Sequence, residues 1–471
     1  MAKQFSLQLD RSVKTPLAQQ IYKGIAAAID SGVLVQGARL PSWRDLAAQL
    51  GIARGTVRAA YERLTDAQLI VASRSAGTHV AKRPAAGVGR DVPSDPALLV
   101  DLYPDFSSAP AIFQSGVPAP DCFPAKLMAR IRAHAVRTES STPARYPDPR
   151  GERELRREVA SHLAIARGVE CAPSQIIITA GFTGALGLAL RLLGLEGRTA
   201  WMEDPGFPLT RRGLEIAKLT LAPIPVDEHG ADVDHGLQHA PDAALVVVTP
   251  GQQAPLGSTL SLARRLRLLD WAAQTGAWII EDDYLSELQL RGRAAPALAS
   301  LDRHGRVIHI GSFSKTISPT LRLGFLVAPA SLAARFAEAA ACLAPAPGPS
   351  VQLATAEFLR EGHYMRHLRR TKRVYSKQQD ALKDCLETRA PGASIAGLAV
   401  LLPLPAGARD KLIAKKALAY GLAPTALSTW YMASPSQRTG LLLGAAMAPT
   451  ESIAASCDRL YRVIDRLAQR G

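Results

Sequence analysis

No apolar run in this 471-residue chain reaches the roughly 18–20 residues that a membrane-crossing helix needs. The N-terminal MAKQFSLQLD carries no apolar core of a secretory signal. Cysteine is scarce: Cys122, Cys171, Cys342, Cys385 and Cys457 are scattered, odd in number and never in CxxC spacing. That argues against a disulfide framework and a structural zinc cluster, so no metal and a reducing cytoplasm are expected. Aromatic residues make up only 5%, while Ala and Leu are in surplus and point towards helices. The length is too great for one compact core, and two or three domains are expected.

Positive charge is what the chain has in excess, a net +15 with a pI near 9.8. A basic balance fits either a polyanion partner or a solvated surface, so its position decides. Residues 1–83 hold four Lys and eight Arg against four Asp and one Glu, a net +7. Nearly half of the excess therefore lies in under a fifth of the chain, which favours nucleic acid.

The first segment reads as three helices and a hairpin. Leu17, Ile21, Ile25 and Ile29 form one helical stripe after Pro16, with Gly32 as a stop. A second helix is expected over Ser42–Leu50, capped by Ser42 and ended by Gly51. A third starts near Ala53 and carries Val57, Ala60, Tyr61 and Leu64 on one face. LIVAS, the turn RSAG and THVA then alternate like two strands. The spacing predicts a DNA-binding domain over 1–82, a Pro- and Gly-rich linker over 83–104 and a large domain over 105–471. Within that domain QIIIT (175–179), ALVVVT (244–249), AWIIEDD (277–283) and RVIHIGSF (306–313) alternate with helical stretches. Such alternation implies an α/β fold with a largely parallel sheet. Its large part is expected over about 105–345 and a smaller α/β part over about 346–471.

Two helices joined by the tight turn Leu50-Gly51-Ile52-Ala53 follow helix-turn-helix logic. Arg54, Thr56 and Arg58 open the second helix, where they can reach base edges or phosphates. Arg39, Ser42 and Arg44 precede or open the supporting helix and suit backbone contact. Arg74 and His79 lie in the hairpin, which can follow the minor groove. In its order of PLAQQIYKGIAAAI, RLPSWRDLAAQLGIARGTVRAAYERL and GTHV, the stretch resembles the GntR family of winged helix-turn-helix domains over roughly residues 14–81.

The most informative stretch beyond it is SFSKTISPTLRLG, residues 312–324. Lys315 follows an apolar strand, framed by Ser312 and Ser314, with Arg322 seven residues on. A lysine that forms a Schiff base beside a phosphate cup is what pyridoxal 5'-phosphate (PLP) requires. In AWIIEDDYLSEL an acid can hold the proton on the ring nitrogen, and Asp282 is assigned that role. Tyr284 is assigned to the phenolic oxygen. The plainer reading is that Glu281, Asp282 and Asp283 cap the next helix or bind a metal. In TAGFTGAL the amides of Gly181, Phe182 and Thr183 can receive the phosphate at a helix N-terminus. Phe207 in EDPGFP offers a face to the pyridine ring, and Tyr146 is a further phosphate donor.

Together ARYPDPRGERELRREVA, EDPGFP, TPGQQAPLG, IIEDDYLSEL and IGSFSKTISPTLRLG look like the fold-type I aminotransferases. With the N-terminal reader they resemble the MocR-type subgroup of GntR regulators across about residues 105–330. The resemblance implies a winged helix-turn-helix plus a fold-type I aminotransferase-like large domain and a smaller C-terminal subdomain. It implies Lys315 as the Schiff-base lysine, Asp282 under the ring nitrogen, Tyr284 on the ring oxygen and Arg322 on the phosphate. It also implies a homodimer in which each reader packs near the partner's large domain, with Tyr146 reaching across. There are departures. Phe207 stands where a Tyr is usual, and Gly251, Gln252, Ala254 and Leu256 alter the TPSHQ-type loop. Ala254 cannot replace the Asn that contacts the ring oxygen in active aminotransferases. Arg438 is the nearest candidate for an effector carboxylate.

Two functions fit. One is a transcriptional regulator of operator DNA that senses PLP, or a small amine or amino-acid effector, through Lys315. The other is an active aminotransferase with a vestigial DNA-binding domain. The missing Asn favours the first.

Overall fold

The computed structural model describes residues 7, 9–73, 77–81, 111–141, 143, 145–389, 391–405, 407–432 and 438–468. Chain packing divides it into two compact units, Met1–Pro104 and Asp105–Gly471.

The first unit has helices Leu17–Asp30, Trp43–Leu50 and Arg54–Asp66. Ile21 and Ile25 from the first helix are buried with Val57, Ala60 and Leu64 from the third, while Ile29 is half-buried. Ser42 caps the second helix: its Oγ accepts from the Asp45 amide at 3.2 Å. Gly51 ends that helix at φ 61°, a left-handed position that glycine takes without a Cβ clash. Three short strands complete the unit, β1 (Arg39–Leu40) between the first and second helices, and β2 (Ile70–Ser73) and β3 (Gly77–Val80) after the third. They form an antiparallel sheet in the order β1-β3-β2. The sequence pattern predicts the β2–β3 hairpin but not β1, because two residues are too few to show alternation. Arg74 and the 83–104 linker lie outside the described residues.

The second unit is built on an eight-stranded sheet. Its strands are β4 (Ile176–Thr179), β5 (Thr199–Asp204), β6 (Thr220–Asp227), β7 (Gly230–Ala231), β8 (Leu245–Val248), β9 (Trp278–Asp283), β10 (Val307–Ser312) and β11 (Gly324–Val327). Their order is β4-β11-β10-β9-β8-β5-β6-β7. From β10 to β6 the pairs are parallel, but β11 runs antiparallel to both neighbours and β7 to β6. The expectation of a largely parallel sheet needs that refinement. The physical reason is the 313–323 connection, which holds two short turns and no crossover helix, so the chain can only fold straight back.

Alternation in β4 shows how both faces are covered. Ile177 packs with Ala185, Leu186 and Ala189 of helix Gly181–Leu193, while Ile176 and Ile178 pack with Leu155, Val159 and Leu163 of helix Arg153–Arg167. A smaller antiparallel sheet, in the order β12 (Ser394–Ala396), β13 (Ala399–Pro403), β15 (Gly440–Gly444), β14 (Thr425–Ala426), sits with helices His363–Glu387 and Ile453–Ala468. Phe113 reaches back into its core beside Leu382, Val400, Leu441 and Leu460. The segment around residues 112–116 is therefore anchored to this C-terminal part.

Leu64 is fully buried in the small N-terminal core. Leu64→Ala is expected to cost about 2–5 kcal/mol, read as a lower urea midpoint for the fluorescence of Trp43, the only tryptophan in Met1–Pro104.

Candidate cofactor site and nucleic-acid interface

Strands β9 and β10 run parallel and present their C-terminal ends at one edge, where ligands bind in such sheets. Asp282, in register with Ile310, is 7% exposed. No hydrogen-bond donor of the described residues reaches its carboxylate. Burial drives its pKa well above the ordinary range, and the neighbouring charges of Asp283 and Glu203 push the same way. Lys315, in the turn after β10, is near enough to oppose that rise. Burial lowers the Lys315 pKa, and Asp282 acts against the fall. The Lys315 ammonium donates to the Gly116 carbonyl at 2.5 Å. Tyr284 follows on the same edge, its phenol pushed up by burial and by Asp282.

A corner of unpaired donors forms where the returning strand β11 meets helix Gly181–Leu193. Gly324 opens β11, and a Cβ there would come within 3.0 Å of Gly181 Cα. Only glycine permits this approach. Arg322, two residues earlier, donates from Nη2 to the Ala180 carbonyl at 3.3 Å, so an exposed guanidinium stands at the helix N-terminus. The amides of Gly181, Phe182 and Thr183 there have no acceptor among the described residues. In the Lys315 turn the Ser314 amide donates to Ser312 Oγ at 3.2 Å. Gly181, Phe182, Thr183 and Arg322 thus converge, and Ser312 and Ser314 flank the lysine.

Aromatic rings extend from this corner. Phe182 and Phe207 lie 6.4 Å apart, and Phe207 lies 5.7 Å from Trp430 at 35°. Trp430 belongs to the C-terminal part and is tied to the segment after β5, because its carbonyl accepts from the Gly206 amide at 3.1 Å. Glu203, fully buried on β5, accepts from the Thr249 amide (3.1 Å) and hydroxyl (2.6 Å) and from Gln253 Nε2 (3.4 Å). Burial nevertheless raises its pKa to about 7.

The other two acids of the IIEDD run are engaged within the fold, one as a cap and one in an ion pair. Glu281 accepts the amides of Leu298 and Ala299 and so caps a short helical turn. It also meets His309 Nδ1 at 2.9 Å. Asp283 pairs with Arg167 Nε at 2.7 Å, and both side chains are buried. Two expected site residues are not brought in. Tyr146 is 100% exposed. The Arg438 side chain is exposed as well, although its backbone N–H donates to the Tyr431 hydroxyl. The unusual Gly251 has a steric cause: a Cβ there would sit 1.9 Å from Ser286 Oγ.

In the first unit, Arg39 and His79 are paired neighbours across β1 and β3. Arg44 is exposed over the Trp43 ring at 4.8 Å. Arg54 is exposed and Thr56 half-buried in the first turn of the third helix. Arg58 is exposed but held by Glu62 at 2.8 Å. Ser42 Oγ is spent on its cap and on Asp45 Oδ2 at 2.7 Å.

Residues 17–80 match the family described as bacterial regulatory proteins, gntR family, and residues 113–420 match aminotransferase class I and II. The probable rhizopine catabolism regulatory protein MocR of Rhizobium meliloti is 34% identical over 454 residues, covering 93% of this chain and 92% of that protein. The chain belongs to the MocR-type regulators of the GntR family. The regulator TauR of Rhodobacter capsulatus is 34% identical over 82% of the chain and 81% of its own length. Among solved structures, the α-aminoadipate aminotransferase LysN of Thermus thermophilus, complexed with N-(5'-phosphopyridoxyl)-L-leucine, aligns with a TM-score of 0.69 at 27% identity, covering 76% of this chain and 93% of that one.

Two residues of this MocR-type regulator's site escape a reading of the sequence. Gly116 contributes only a carbonyl, and Trp430 comes from 115 residues beyond Lys315. Glu203, by contrast, carried a signal: an acid at the end of an apolar strand, immediately before the EDPGFP motif's Asp204. Its ionisation generates a prediction. A pKa raised from 4.5 to about 7 means that protonated Glu203 favours the fold below about pH 4.5, and this gain is lost as pH rises through 7. Cofactor-free wild type is expected to lose on the order of 1–3 kcal/mol between pH 5 and 8 from this group. Urea titrations of Glu203→Gln should show a flatter pH dependence. Parallel curves for both proteins would assign the loss elsewhere.

Proposed function

We propose that this regulator holds PLP at the β9–β10 edge and uses Lys315 to sense either the cofactor itself or an amine or amino-acid effector. The observation that carries the reading is Asp282, a buried carboxylate with no donor among the described residues, in electrostatic reach of a partly desolvated lysine. Leaving such an acceptor unpaired is costly, and a protonated ring nitrogen is the partner that fits it. When bound, the group supplies an aldehyde for which Lys315 and an effector amine compete, and a ring that withdraws electrons. Asp282 accepts the ring N–H, Tyr284 donates to the ring oxygen and Phe207 covers one face. Arg322, the amides of Gly181, Phe182 and Thr183, and the Ser312 and Ser314 hydroxyls hold the phosphate. The full exposure of Tyr146 supports a homodimer in which this phenol serves a second copy's phosphate.

On the DNA side, Arg54, Thr56 and Arg58 open the recognition helix, with Arg39, Arg44 and His79 supplying backbone contacts from the supporting helix and wing. The cap role of Ser42 Oγ leaves it a second acceptor position at most. Weak transamination fits the aminotransferase fold, but Ala254 supplies no donor to the ring oxygen, so regulation is the main activity of a cytoplasmic protein.

The test of the cofactor reading is covalent. After PLP loading and borohydride reduction, wild type should carry a permanent label on the tryptic peptide containing Lys315. Lys315→Ala should lose label and visible absorbance, and a variant that kept both would overturn the assignment. The DNA reading has its own test, using a duplex selected from a random pool. Affinity should fall steeply with salt, and Arg54→Ala should reduce the log–log slope by about 1 if that residue neutralises one phosphate.

A further inference from the structure

The long helix His363–Glu387 meets the surroundings of Lys315 along one buried stripe, formed by Tyr364, His367, Thr371 and Tyr375 at helical spacing. Tyr364 packs edge-on against Phe313, two residues before Lys315, with ring centroids 6.1 Å apart. Its hydroxyl donates to Glu287, in the short turn that follows Tyr284. His367, one turn on, reaches the other side of the lysine: its Nε2 lies 2.7 Å from the Thr316 carbonyl. Further along, the Tyr375 hydroxyl accepts the Ala119 amide at 2.8 Å, in the segment whose Gly116 carbonyl takes the Lys315 ammonium. One helix therefore grips both the turn that carries Lys315 and the segment that carries its acceptor.

Of these contacts, the His367 bond is the one that can aim the lysine. Within the turn, the Phe313 carbonyl accepts the amides of Ile317 and Ser318 at 2.9 and 3.2 Å, which closes the turn without fixing its direction. Thr316 is buried, and its carbonyl is bonded from outside the turn. A carbonyl only accepts, so the imidazole proton sits on Nε2. Burial lowers the His367 pKa against the pull of the Thr316 bond, and Arg370 lowers it further, so the ring is neutral and this N–H is its only one. Loss of that donor would strand a buried acceptor, which the turn can satisfy only by moving towards solvent and taking Lys315 with it. We propose that His367 is a positioning residue: by donating from Nε2 to the Thr316 carbonyl it fixes the direction and the burial of the Lys315 side chain. The inference deepens the cofactor reading above and takes its functional meaning from it. The same helix ends in the C-terminal core through Leu382 and Leu386, so one element joins the lysine's turn to that core.

Two variants of the full chain separate the N–H from the ring. His367→Phe keeps an aromatic side chain without a donor, and His367→Gln supplies an amide N–H at nearly the reach of Nε2. Without cofactor, trace acetylation by acetic anhydride across pH, read on the tryptic peptide containing Lys315, follows the ionisation of that amine. Burial lowers the Lys315 pKa in the folded chain, so a freed turn should raise it. His367→Phe should move the labelling midpoint up by about one pH unit, and His367→Gln should undo most of that change. With cofactor, His367→Phe should bind PLP about tenfold more weakly, and His367→Gln within about threefold of wild type. A residue that only packs would lower the urea midpoint and leave the Lys315 profile in place. An unmoved profile in folded His367→Phe, or equal displacement in both variants, overturns the proposal. Should His367→Phe fail to fold, His367→Asn, whose shorter amide falls short of Thr316, takes its place. A wild type that takes up no PLP would overturn the cofactor reading alone, because the labelling profile is measured without it.

Discussion

One buried carboxylate left without a donor among the described residues organises the edge of the large sheet. Every acid around Asp282 is answered from within the chain: Asp283 by Arg167, Glu281 by His309 and two amides, Glu203 by Thr249 and Gln253. Strand alternation explains the difference. Asp282 faces away from Glu281 and Asp283 on β9, so it meets Glu203 and Lys315 rather than the arginine and histidine beneath. Burial first, and then the neighbouring acids, press the Asp282 carboxyl towards its neutral form. The folded chain stores an electrostatic cost at Asp282, which a positively charged ligand group relieves.

The remainder of the large domain brings the other groups to that acid. Because the connection after β10 is short, β11 returns antiparallel and carries Arg322 and Gly324 to the start of helix Gly181–Leu193. A longer, helical crossover would have sent the next strand parallel and left the start of that helix without its guanidinium. The lysine and the guanidinium are thus brought to one end of the sheet by one reversal.

Residues next to each other in sequence were legible, and residues joined only by tertiary approach were not. Lys315, Ser312, Ser314 and Arg322 lie within eleven residues of one connection, and Asp282 and Tyr284 share one strand end, so their spacing betrayed them. The three helices of the reader showed themselves through Ile21, Ile25, Val57, Ala60 and Leu64, since burial imposes a period. β1 did not, being two residues long and defined by its pairing with β3. Gly116 acts through a carbonyl that any residue possesses. Trp430 matters because of Gly206 and Phe207, more than 220 positions earlier. Gly251 was visible as a departure, but its cause, the Ser286 hydroxyl 35 residues away, was not.

The same departures bear on why this site suits sensing better than turnover. A catalyst must stabilise charge that develops during reaction, with donors fixed at the ring oxygen and a clamp closed on the substrate carboxylate. Here Ala254 offers no side-chain donor and Arg438 stands in solvent. Groups that only bind are intact: the acid, the lysine, the donor corner and the aromatic row. A sensor needs no more, because a ligand shifts a conformational equilibrium by its difference in affinity for two states, however slowly its bonds are rearranged. Losing transition-state contacts while keeping ground-state ones is the change that would convert an aminotransferase fold from making a product to reporting a ligand.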